Sequence, residues 1–118
     1  MTTHSPVLRL SDILEAIERI RSVLGDMPLD VFETDWQTQW LVERGVEIIS
    51  EASRHLPDEL KTRHPHIPWR KVAGIGNILR HNYENIAAAI MWKLAQEDLS
   101  VLEVVCREEL RAEQEQRD

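Results

Sequence analysis

The chain of 118 residues predicts an all-α bundle of about five helices, and three observations carry that expectation. Apolar residues recur at three- and four-residue spacing, while Val and Ile runs alternating at period two are absent. Only four glycines and five prolines punctuate the sequence. Apolar residues make up 42% and charged residues 30%, the balance of one soluble globular domain that can bury a core without disulfides. Four of the six aromatics are Trp, so the core is expected to combine Leu, Ile, Val and Ala with a few indole anchors.

Ser11 can cap a first helix reaching about Leu24, with Leu10, Ile13, Leu14, Ile17, Ile20 and Leu24 on one face. Gly25 ends it and Pro28 starts the next element. Asp30 to Leu56 is a long helical pattern with a break expected near Thr34–Asp35, where Asp35 can cap the second section. Trp36 and Trp40, four residues apart, read as core or interface anchors. Pro57 opens a short helix that ends before the proline-bracketed loop His64-Pro65-His66-Ile67-Pro68.

Pro68 suits the start of a helix through Trp69, Val72, Ala73, Ile75, Ile78 and Leu79 to about Tyr83. Asn85 can cap Ile86 to about Gln96. A last helix from about Leu99 places Leu102, Val105, Cys106 and Leu110 on one side and frays into the polar tail Arg111 to Asp118. One domain spans 1–118, with flexible ends expected at 1–9 and 111–118.

Cys106 is the only cysteine, which excludes an internal disulfide and a cysteine-rich metal site; a small residue partly buried on the last helix is its expected role. With no signal peptide and no long apolar run, a cytoplasmic protein without membrane contact is expected. The net charge of -7 disfavours a general nucleic-acid binder, but the charge is unevenly spread. Residues 54–81 hold Arg54, Lys61, Arg63, Arg70, Lys71 and Arg80 against Asp58 and Glu59, a local +4 that leaves -11 for the rest. Four of the five histidines share that window, and a basic island of this kind suits a local phosphate site.

The stretch Gly76-Asn77-Ile78-Leu79-Arg80-His81-Asn82-Tyr83 concentrates the chemistry. Arg80 is a permanent cation and His81 carries the side chain whose unperturbed pKa lies closest to neutrality, so one can hold an anion while the other moves a proton. On a helix Asn77 and His81 share a face, Arg80 lies about 100° round from His81, and Tyr83 is three residues beyond Arg80. Phosphodiester cleavage needs a base for the 2′-hydroxyl, an acid for the leaving oxygen and cations for the phosphorane. His81 can be base or acid, and a single histidine serves both ends poorly, so two copies meeting at a dimer axis fit the chemistry. The bland reading keeps Arg80 paired with Glu84 and His81 merely packed. Gly76 weakens its helix by roughly 1 kcal/mol relative to Ala, which suggests close approach of another backbone there.

Two other groups have bland readings. His64 and His66 have no carboxylate or cysteine cluster nearby and are expected in an exposed loop, with no metal bound. Arg44 and Glu51, seven apart on one face, are expected either in a buried ion pair with another helix or in support of His81.

Arg44-Gly-Val-Glu-Ile-Ile-Ser-Glu-Ala52, Ile67-Pro-Trp-Arg70, Gly74-Ile-Gly-Asn-Ile-Leu-Arg-His-Asn-Tyr83, Ala89-Ile-Met-Trp92 and Asp98-Leu99 follow one another in an order and spacing that resembles the HepT-like branch of the HEPN superfamily. The resemblance spans about Leu10 to Leu110. It implies a HEPN-type helical bundle acting as the toxin of a toxin–antitoxin pair, a homodimeric, metal-independent endoribonuclease that needs no cofactor and cuts RNA, such as tRNA or mRNA, in the cleft between protomers. It implies a minimal nucleotidyltransferase as antitoxin, able to silence the toxin by transferring AMP to the motif tyrosine, here Tyr83. The family motif is an Arg, a gap of about four to six residues, then His-x-Tyr. His81 and Tyr83 match its last positions, and Asn77 matches the polar residue after the family Arg. The Arg position itself is Gly76. Either Arg80 substitutes as the phosphate-binding cation, with Asn77 orienting the substrate, or activity is lost and a non-catalytic module that binds the nucleotidyltransferase or a nucleotide remains.

Overall fold

The computed structural model describes residues 5–81 and 84–117; of Ile78, Arg80, His81, residues 84–86 and Arg117 it describes the backbone alone. The bundle is built from α1 (Val7–Leu24), α3 (Trp36–Arg54), α5 (Trp69–His81), α6 (Glu84–Lys93) and α7 (Leu99–Arg117). Two short helices, α2 (Leu29–Phe32) and α4 (Asp58–Arg63), lie in the connections, and a π-helical turn, Leu94–Asp98, joins α6 to α7. There is no strand among the described residues. The five longer helices match the expected bundle.

Several boundaries differ from the sequence reading for local reasons. Helix α1 starts at Val7 rather than after Ser11, because Pro6 presets φ at -75° and Ser5 Oγ accepts from the Val7 N–H at 3.3 Å. Its end is as expected: Gly25 takes φ 51° and its N–H donates to the Arg21 carbonyl at 2.9 Å. Asp35 does cap α3, accepting from the Thr38 N–H at 3.1 Å and from its hydroxyl at 2.9 Å. Those donors, the backbone one first, hold the Asp35 carboxyl below its usual range. Asn85 is a second helical residue of α6 and not its cap. Between Lys93 and Leu99 the helix does not stop but widens to π geometry, so α6 and α7 follow one another without a loop. Helix α7 continues to Arg117, past the point where its apolar face runs out.

The core lies where α3 and α7 pack on α1. Leu10, Ile13, Ile17 and Ile20 meet Val42, Val46 and Ile49, with Leu99, Leu102 and Val105 closing the other side. Gly45 permits this: a Cβ there would fall 2.6 Å from Ile20 Cγ1 and 2.8 Å from its Cδ1. Phe32 is buried, whereas Trp36 and Trp40 are 57% and 67% exposed, which removes them from the core. Their rings pack edge to face at 4.9 Å. Cys106 is wholly buried, further than expected, and burial pushes its thiol up to about 12.

A polar latch ties the middle of the chain to α7. Glu109, 8% exposed, accepts from Arg63 Nε at 3.2 Å and NH2 at 2.7 Å, and its other contact is His64 Nε2 at 2.6 Å. The Arg63 hydrogen bonds hold the Glu109 carboxyl below its usual range against the opposing effect of burial, with His64 adding to them. His64 is therefore tucked in and not exposed as the loop composition suggested, while His66 stays outside. Trp69 Nε1 donates to the Lys61 and His64 carbonyls at 3.1 and 3.0 Å, so the start of α5 is fastened to the same loop.

Two stability predictions follow from this packing. Gly45→Ala must displace a buried Ile20 and should cost about 1–3 kcal/mol in urea unfolding; an unchanged midpoint would show that α1 and α3 are not in close contact. Because the Glu109 carboxyl is held below its ordinary value, its contribution is present at neutral pH and lost as pH falls through the folded-state value. Glu109→Gln should cost about 1–3 kcal/mol at pH 7 and flatten the acid limb of stability below roughly pH 4.5.

Candidate functional site

The motif helix is held against α3 by one backbone carbonyl. Ala73 O accepts from Ser50 Oγ at 2.6 Å and from Arg54 NH1 at 2.7 Å. Arg54 also contacts Ser50 Oγ at 3.3 Å and turns its second nitrogen to Glu51. Three residues on, a Cβ at Gly76 would stand 3.6 Å from Ser50 Oγ, 3.8 Å from Ser50 Cβ and 3.9 Å from Glu47 Cγ. Ser50 lies beside Ala73 and Glu47 beside Gly76, so α3 and α5 run antiparallel. In that register the His81 end of α5 points toward the Trp36 end of α3.

Gly76 is buried at this seam, but the atoms nearest to where its Cβ would stand are side chains of α3, not the backbone whose close approach a mid-helix glycine suggested. The contacts a Cβ would make are ordinary van der Waals distances. Asn77, the next residue, is exposed. Arg80 and His81 belong to the last turn of α5, which puts Asn77, Arg80 and His81 on one continuous helix; their mutual side-chain geometry and any Arg80–Glu84 pair lie outside the described residues. Tyr83, with Asn82, also lies outside the described residues.

The basic island divides into two kinds of cation. Arg54 and Arg63 are engaged inside the fold, on Ala73 and Glu109. Arg70 and Lys71 are exposed on α5. Arg44 and Glu51 form no buried pair: Arg44 is 73% exposed and 3.7 Å from Glu47, and Glu51 bonds Arg54 and, at 3.0 Å, His55. Glu43, one turn before Glu47 on α3, is held above its usual carboxyl range by burial and by the charge of Glu47.

Ser50, Arg54 and Glu47 escaped the sequence reading as residues that place the motif. Their signal was the 47, 50, 54 spacing of one helical face, which lies against Ala73 and Gly76. A separate cavity of about 460 Å³ lies between α3, α5, α6 and α7; it is floored by residues such as Val46, Ile75 and Leu102 and has Lys71 and Lys93 among its walls. Among the described residues no group of three or more His, Cys, Asp or Glu side chains gathers as metal ligands. No described helix is long and apolar enough to cross a membrane.

An all-α bundle with its Asn-x-x-Arg-His segment on a helix pinned to α3 has the architecture of a HEPN-type protein. Residues 13–109 match the model of the ribonuclease HepT-like family, and the chain belongs to that family. It is 40% identical over 93 residues to the probable ribonuclease HepT of Thermococcus cleftensis, covering 79% of this chain and 84% of the relative. A candidate RNase of Methanocaldococcus jannaschii is 33% identical over 90 residues, covering 76% and 83%. Another, from Caldanaerobacter subterraneus subsp. tengcongensis, is 34% identical over 115 residues, 96% of this chain and 99% of its own. No solved structure matches the chain.

The seam makes a direct prediction. Ser50→Ala removes one of two donors to the Ala73 carbonyl and should cost about 1 kcal/mol. Amide exchange along α5 should accelerate more than along α1; equal acceleration in both helices would mean that this bond does not set the position of α5.

Proposed function

We propose that this chain is a HepT-type toxin, a metal-independent endoribonuclease that works as a homodimer. Membership of the ribonuclease HepT-like family across residues 13–109, with His81 on the helix that α3 pins, is the observation that carries the reading. In the reaction the 2′-oxygen attacks phosphorus, the bond from phosphorus to the 5′-oxygen breaks, and a 2′,3′-cyclic phosphate and a 5′-hydroxyl result. His81 takes the proton from the 2′-hydroxyl or gives one to the leaving oxygen, and the His81 of the second copy does the other. Arg80 holds the phosphate and Asn77 orients it.

The same reading makes a minimal nucleotidyltransferase the antitoxin and Tyr83 its AMP acceptor. A phosphate added beside Arg80 and His81 occupies the place of the RNA phosphate and carries the wrong charge for RNA to approach. Gly76 favours a second reading, a non-catalytic module that binds the nucleotidyltransferase, because the cation of the family motif is missing at that position.

Incubation with total RNA or tRNA in EDTA separates the two. The ribonuclease yields fragments ending in cyclic phosphate, and His81→Ala should reduce cleavage by at least about 10²-fold and abolish growth inhibition. Intact RNA with wild-type protein would leave only the binding module. After co-expression with the nucleotidyltransferase, mass spectrometry should find AMP units on the Tyr83 peptide; an unmodified peptide in a neutralised complex would remove Tyr83 from that role.

A further inference from the structure

We propose that Arg44 supplies the phosphate-binding cation missing at Gly76, an assignment that rests on the ribonuclease reading above. The α3–α5 register places Glu47 against Gly76, with Glu47 Cγ 3.9 Å from where a Cβ would stand. Arg44 lies one turn earlier on α3, and its guanidinium is 3.7 Å from the Glu47 carboxylate. The antiparallel register carries Arg44 toward the Arg80–His81 turn of α5, not toward its start. Arg44 thus stands at the flank of the seam, on the same helix face as the residue that covers Gly76.

Its surroundings suit a cation that must move. At 3.7 Å the contact with Glu47 is too long for a hydrogen bond, and the side chain is 73% exposed, so little holds the guanidinium back from an arriving phosphate. Arg54, the other arginine of α3 next to α5, is committed to the Ala73 carbonyl, Ser50 and Glu51. Of the two, only Arg44 is free to bind substrate. Its five donors in a planar fork match two oxygens of a phosphodiester, the role a motif arginine on α5 would fill.

The space at Gly76 supplies the control. A Cβ there meets only ordinary contacts, so the root of a side chain restored on α5 does not clash with α3. Arg44→Ala should leave the melting temperature unchanged and reduce RNA cleavage in EDTA by about 10²-fold, the effect of removing one transition-state donor. Arg44→Lys should recover only part of it, since an ammonium lacks the fork. The double variant Arg44→Ala with Gly76→Arg should regain most of the activity. Cleavage by Arg44→Ala within about threefold of wild type would overturn the assignment and leave the ribonuclease reading standing. If wild-type protein does not cleave, the ribonuclease reading fails, and binding of a single-stranded 2′-O-methyl oligonucleotide decides the phosphate contact. Arg44→Ala should then lower the slope of log affinity against log salt by about 0.7. An unchanged slope, or no binding by wild type, overturns the assignment.

Discussion

The Ala73 carbonyl is the point on which the placement of the candidate site depends. A helical carbonyl ordinarily accepts from the N–H four residues on, yet this one also receives a hydroxyl and a guanidinium from α3. Two donors on one oxygen fix both the distance between the helices and their register, because Ser50 and Arg54 are one turn apart and can meet the same acceptor only in one alignment. Everything on α5 beyond Ala73 inherits that alignment. Gly76 falls against Ser50 and Glu47, and Asn77 turns out to solvent. Were the register one turn different, Gly76 would lie over Ala73's neighbours and the Arg80–His81 turn would move by about 5 Å along α3.

The start of α5 is fixed by a second, independent device. The Arg63–Glu109–His64 latch sets the loop before α5 against α7, and Trp69 bonds that loop's carbonyls. Glu109 is the one buried carboxylate among the described residues, and its charge is retained there because three hydrogen bonds meet its two oxygens. The loop between the two prolines therefore behaves as a strut, although its composition reads as a linker. With one tie at Trp69 and another at Ala73, the first turn of α5 is held at both ends, and Gly76 and Leu79 continue its packing toward the turn that carries Arg80 and His81.

Which features were legible in the sequence follows from the range of the interactions. The periodicity of Leu10, Ile13, Ile17 and Ile20, the Asp35 cap and the Gly25 stop are local, and each occurs as read. The Ser11 and Asn85 caps failed because a capping residue says where a helix can begin, while Pro6 and the helical backbone at Glu84 decide where it does. Of the two readings of Trp36 and Trp40, core or interface, their exposure removes the core one, since spacing specifies a shared face but not which way that face points. The π turn at Leu94 left no compositional mark. Within the candidate site the helix that carries Asn77, Arg80 and His81 was legible, and so was the family. The residues that hold the helix were not, because a serine, an arginine and a backbone carbonyl from segments 19 to 23 residues apart have no joint signature.

The basic island looks different once its members are sorted by what they touch. Counted along the chain it is a cluster of six cations. In the fold, Arg54 and Arg63 are neutralised by Glu51 and Glu109 and do structural work, so the field available to an RNA phosphate comes from fewer groups than the count implies. That makes each remaining cation near α5 matter more, and it changes the meaning of Gly76. In the family motif the Arg and the His are separated by several helical positions, so cation and imidazole approach the phosphate from different directions. Arg80, adjacent to His81 in sequence, can hold the phosphate but does not by itself restore that separation. A cation arriving from α3 can, since the α3–α5 register already brings Glu47 to the glycine and sets Arg44 one turn further along. On the assignment proposed for Arg44, the glycine belongs with the helix it faces, and the charge absent at Gly76 comes from across the seam.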